Sequence, residues 1–157
     1  MKKLNSFMKA CFILDDLSCG TCEDEAVAID ELYKLFGLGD DVTKYVILEK
    51  AIEMRLVDFL RPRLKLILQT DKSSLMRHEA AFGMGVLRDP EFEEPLIKAL
   101  RSDAESGVRH EAAIALAQFG TDKCLQALKD ALYGDVFVRE SAAVALQCVS
   151  LRRELRE

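Results

Sequence analysis

Only two histidines, three prolines and eight glycines occur in 157 residues, and no apolar run approaches the roughly 20 residues that a helical membrane span requires. So little proline and glycine excludes a low-complexity or collagen-like chain. Basic charge is also short: 22 Lys and Arg against 27 Asp and Glu leave a net charge of -5. The nearest basic pairs, Arg61 with Arg63 and Arg152 with Arg153, are too small to neutralise a phosphate backbone. Neither nucleic acid nor a membrane is an expected partner. What is present, 50% apolar and 31% charged residues, is the composition of a globular protein of about one domain.

Five cysteines, an odd number in a chain long enough to bury a core, do not form a disulfide framework and point to a reducing, cytoplasmic setting. The start of the chain imitates a secretory signal with Lys2 and Lys3, but Lys9 and Asp15-Asp16 leave only Ala10 to Leu14 uninterrupted. Cys19-Gly20-Thr21-Cys22, with Cys11 nearby, has the spacing of a redox pair or half a zinc site. No βαβ pattern surrounds it and no spare histidine completes four ligands, so it reads as a turn carrying incidental thiols. Cys124 and Cys148 fall on apolar helical faces and are expected in the core.

Three segments match in register: Met76-Arg77-His78-Glu79-Ala80-Ala81, Val108-Arg109-His110-Glu111-Ala112-Ala113 and Val138-Arg139-Glu140-Ser141-Ala142-Ala143. A second amphipathic stretch precedes each one: Leu64 to Leu68, Pro95 to Leu100 and Leu125 to Leu132. Apolar residues at i, i+3, i+4 and i+7 make both stretches helices, so each unit is a helix pair, and stacked pairs form an all-α solenoid. Asp89-Pro90 and Gly120-Thr121-Asp122 separate the units. Ser73-Ser74, Ser106-Gly107 and Asp135 are cap candidates, and Pro95, with Pro62 one unit earlier, suits a first helical turn. Gly83 and Gly85, costly inside a helix, imply a close neighbour on an inner, concave layer formed by the second helices.

Both histidines lie in these matching slots, each preceded by arginine and followed by glutamate. In a chain with 14 glutamates, chance gives two such His-Glu pairs about once in a hundred. The repeat puts His78 and His110 at equivalent places near the starts of adjacent helices, where two imidazoles can share one ion and Glu79 and Glu111 can join them. Imidazole and carboxylate ligands without a thiol suit iron, manganese or zinc. The competing reading is a pair of solvated or core-edge residues left by repeat duplication, since Glu140-Ser141 fills the third slot without histidine.

From Ser73 to Leu151 the chain resembles one half of deoxyhypusine hydroxylase, a HEAT-like repeat enzyme. The residues carrying the likeness are Leu75-Met76-Arg77-His78-Glu79-Ala80-Ala81-Phe82, Val108-Arg109-His110-Glu111-Ala112-Ala113, and Gly85 and Asp89 after the first motif. The resemblance implies a non-haem di-iron centre between two halves, each giving two histidines and two glutamates, that activates dioxygen and hydroxylates an amine-bearing side chain. His78, Glu79, His110 and Glu111 make one half of that set, so a homodimer holding about two iron ions is expected. Manganese and zinc are the lesser candidates, and a protein or peptide is the implied substrate. Two other readings of the same repeats are a non-catalytic scaffold gripping a peptide or protein, and a factor of the phycobilisome lyase type.

Residues 56–157 are assigned to the HEAT-like repeats. In residues 1–55, a helix from Glu25 to Phe36 ended by Gly37 and another from Val42 to Met54 are expected to cap the first repeat or make the dimer contact.

Overall fold

A computed structural model describes residues 6–155, which contain nine α-helices, a single 3-10 turn and no strand, so the chain is an all-α helical-repeat protein as expected. It divides into two compact units, Met1–Pro62 and Arg63–Glu157.

In the first unit, α1 (Ser6–Cys19), α2 (Glu25–Leu38) and α3 (Asp41–Glu53) pack against one another around Ala10, Leu14, Leu32, Leu35, Ile47 and Leu48. Helix α1 covers the stretch that resembled a signal core; burying Ala10 and Leu14, four residues apart, gives it one apolar stripe. Asp24 and Asp40 cap the next two helices by accepting from the backbone N–H of Val27 and Thr43. Helix α2 stops two residues later than expected, at Gly39 and not Gly37. A Cβ at Gly39 would stand 2.7 Å from the Leu35 carbonyl oxygen and 2.8 Å from the Thr43 methyl, whereas one at Gly37 would meet nothing.

Helix α4 (Val57–Thr70) begins five residues before Pro62, so that proline lies inside the helix and not in its first turn. Pro95 does sit in a first turn, that of α6 (Glu93–Ser102), which the 3-10 turn Pro90–Phe92 leads into.

The second unit holds the repeats. Helices α5 (Ser74–Leu87), α7 (Ser106–Leu116) and α9 (Val136–Glu154) pack side by side, while α6 and α8 (Asp122–Ala131) form the second layer against α7 and α9. Apolar residues from both layers, Met76, Met84, Leu96, Leu100, Val108, Leu116, Leu128 and Val138, are buried between them. The close approach inferred from glycine is realised at Gly85, where a Cβ would stand 2.9 Å from the Ala115 Cβ and 3.0 Å from its Cα. Ser73 and Asp135 cap α5 and α9 through Met76 N–H and Val138 N–H. Ser106 does not cap α7: the helix starts on that residue, and Asp103 instead accepts from Glu105 N–H ahead of it. Cys124 is buried, but Cys148 is exposed on α9, against expectation.

Two arginines join the repeats. Arg77 donates from Nε and Nη2 to both oxygens of Asp103, at 2.8 and 2.9 Å, and from Nη1 to the carbonyl oxygen of Asp71. Arg109 repeats the arrangement with Asp135 and the carbonyl oxygens of Asp103 and Ala104. Each guanidinium therefore ties the turn before its own helix to the turn before the next one. Burial would raise the Asp103 carboxyl, but hydrogen bonds from Arg77 and from Glu105 N–H, with the charges of Arg77 and Arg109, outweigh it and hold the group below its usual 3.8.

Candidate metal centre

Each histidine is the fifth residue of its helix, His78 in α5 and His110 in α7, because Arg77 and Arg109 anchor those helices to equivalent turns. Cβ atoms on one helix face recur every three or four residues, so His78 and Glu79 diverge by about 100 degrees, yet both remain half-buried at the α5–α7 seam. His78 bridges the seam. Its Nδ1 lies 3.2 Å from Glu79 Oε1 and its Nε2 lies 3.5 Å from Glu111 Oε2, on the neighbouring helix.

Glu111 is more enclosed than either residue of the first pair, its side chain 12% exposed against 36% for His78 and 18% for Glu79. Burial raises its pKa above the ordinary 4.5, the nearby His78 and His110 oppose that shift, and the Glu79 charge adds to it. All three other residues are thus within electrostatic reach of one carboxylate. A groove of about 300 Å3, walled by Leu75, Val108 and Glu105, opens onto His78 and Glu79.

His110 has different partners. Its ring stacks on Phe137 of α9, with centroids 4.7 Å apart, and its Nδ1 is hydrogen-bonded to Ser141. Thus the two imidazoles, expected to reach toward each other, each reach toward the next helix: His78 to Glu111, His110 to Ser141. Neither Phe137 nor Ser141 was singled out from the sequence, although Ser141 occupies the glutamate slot of the third repeat.

Among the described residues, no three His, Cys, Asp or Glu side chains already surround one ion-sized point. The donors nevertheless fit an iron-class ion in chemistry: imidazole nitrogen and carboxylate oxygen, no thiol, partly shielded yet open to a groove. His78 thus touches one carboxylate on its own helix and one on the next.

A family model described as HEAT repeats matches residues 61–147, more than half of the chain. The chain belongs to the HEAT-repeat family. Over about half its length it is also similar to deoxyhypusine hydroxylases. That of Candida albicans is 45% identical over 78 residues, which are 48% of this chain and 24% of that protein. The Schizosaccharomyces pombe enzyme is 42% identical over 85 residues, 53% and 27% of the two chains, and the Arabidopsis thaliana enzyme 40% identical over 91 residues, 55% and 29%. The match spans about a quarter of the length of these relatives. Among the described residues of this HEAT-repeat chain, no helix is long and apolar enough to cross a membrane.

Proposed function

We propose that this chain is a metal-binding HEAT-repeat protein that works as a homodimeric non-haem di-iron hydroxylase of the deoxyhypusine hydroxylase kind. The observation that carries the reading is the cluster at the α5–α7 seam, where His78 contacts two carboxylates and Glu111 senses both histidines. Support comes also from the three relatives described above, 40–45% identical over about half of the chain, which bear the hydroxylase name.

In this reading His78, Glu79, His110 and Glu111 hold the iron. A second copy of the chain presents the same patch across a two-fold axis and completes the set. Iron in such a centre supplies the activation of dioxygen. The chain's own residues do the rest. Leu75 and Val108 flank the aliphatic part of an amine-bearing side chain entering the groove, and the carboxylates of Glu105 and Glu79 draw its ammonium group toward the seam. The burial that raises Glu111 also keeps bulk water from the inner side of the site.

Metal content and solution mass test the proposal together. Protein expressed in iron-replete medium and purified without chelator is expected to be a dimer with about two iron ions, and His78→Ala or His110→Ala to lose most of that iron. A metal-free monomer under those conditions overturns it, and zinc or manganese in place of iron corrects the metal. The reaction class is then tested by hydroxylation of an amine-bearing lysine-type peptide, expected only with the iron-loaded dimer.

A further inference from the structure

We infer that Ser141 is a positioning residue that holds His110 in its Nδ1–H tautomer, leaving the bare Nε2 lone pair as this histidine's metal donor. The inference rests on the metal-site reading and adds a residue outside the His-Glu motifs to it.

A serine hydroxyl has one proton and two acceptor lone pairs. Ser141, 6% exposed, donates that proton to the carbonyl oxygen of Phe137, one turn earlier on α9, at 2.8 Å. Toward His110 the same oxygen can only accept, so the hydrogen bond between them requires a proton on His110 Nδ1. A neutral imidazole with its proton on Nδ1 has none on Nε2, the form in which Nε2 ligates a metal. Phe137 contributes twice, since its carbonyl takes the serine proton and its ring stacks on the imidazole, 19° from parallel, restricting rotation.

The register of the repeats explains why this role falls to a serine. His78 on α5 reaches Glu111 on α7, and His110 on α7 reaches Ser141 on α9; in both cases the histidine slot of one inner helix faces the glutamate slot of the next. The third repeat ends this diagonal with a neutral acceptor in place of a carboxylate. A hydroxyl already committed to a carbonyl orients the ring and carries no charge.

Imidazole-15N-labelled, metal-free protein at alkaline pH, read by long-range proton–nitrogen correlation, reports the tautomer directly. His110 is expected to show the Nδ1–H pattern in wild type and Ser141→Thr. In Ser141→Ala it is expected to shift toward Nε2–H, the form an unconstrained imidazole prefers. Anaerobic titration with ferrous ion alone should then give a 10- to 100-fold weaker affinity in Ser141→Ala and restoration in Ser141→Thr. An unchanged tautomer in Ser141→Ala overturns the inference. So does loss of iron in His110→Ala alongside wild-type affinity in Ser141→Ala, which leaves the site reading intact. Wild-type affinity in both variants overturns the site reading, and this role with it.

Discussion

Helices α5 and α7 carry the same five residues, Arg-His-Glu-Ala-Ala, starting at the fourth residue of each helix, yet they give those residues different surroundings. On α5 the arginine is half-buried and bidentate, and the histidine lies between two carboxylates. On α7 the arginine meets a half-exposed aspartate and the histidine meets a serine and a phenylalanine ring. A repeat thus reproduces the backbone slot, and the helix stacked next decides the chemistry of the side chain in it. Solenoid stability is a sum of repeat terms and neighbour terms, and here the neighbour terms distinguish one motif from its copy.

The largest break in the comparison should come from Arg77→Ala. It strands Asp103, whose side chain is 7% exposed, and removal of one partner from a buried pair costs about 3 kcal/mol. Arg109→Ala strands Asp135 at 41% exposure, where solvent screens the charge, and a clearly smaller loss is expected. Urea denaturation followed by circular dichroism measures both; equal losses would mean that burial does not separate the two pairs. The pH dependence has a definite sign. Asp103 is held below 3.8, so its contribution is complete above that value and is lost as pH falls below it through the depressed folded pKa.

Gly85→Ala ranks between those two, at about 2 kcal/mol, because the new Cβ meets the backbone and Cβ of Ala115 and cannot be relieved by turning a side chain. Ala improves an exposed helix position by about 1 kcal/mol over glycine, so a stabilised Gly85→Ala would show that α5 and α7 can separate freely. The paired variant with Ala115→Gly should recover part of the loss.

Glu111→Gln should have the smallest effect and the opposite sign. Burial raises the Glu111 carboxyl above 4.5, so its ionised form weakens the metal-free fold at neutral pH. The amide variant is expected to melt slightly higher at neutral pH, with the advantage disappearing as pH falls through the raised folded pKa toward 4.5. It should also bind iron less well, since the charge that costs stability is the one that ligates. A variant equally stable at both pH values would remove burial as the distinguishing feature of this glutamate.

Much of this is legible in the sequence. The register of Arg77, Arg109 and Arg139 disclosed the helix pairs, and the cost of Gly85 disclosed the tight α5–α7 crossing. The seam partners were not legible. That His78 meets Glu111 and His110 meets Ser141 depends on the stagger between neighbouring helices, which periodicity along one chain does not encode. Cap choice failed at Ser106 for a related reason: Asp103, already serving Arg77, also takes the Glu105 N–H, and one carboxylate filling two roles leaves no separate signal. Pro62 misled because a proline marks a first turn only when other signals agree, and the apolar Val57, Phe59 and Leu60 extend α4 ahead of it.

The arginine-to-aspartate span suggests how such a chain tolerates changes of length. Arg77 to Asp103 and Arg109 to Asp135 both measure 26 residues, although the motifs themselves recur at 32 and then 30. The two-residue difference therefore falls wholly in the short link between an aspartate and the arginine after it, where Asp135 itself becomes the cap of α9. Variation in repeat length therefore sits ahead of the helices that carry the arginines and leaves the span between each arginine and its aspartate unchanged. The constant 26 keeps each guanidinium opposite its carboxylate and so keeps successive helix pairs in step.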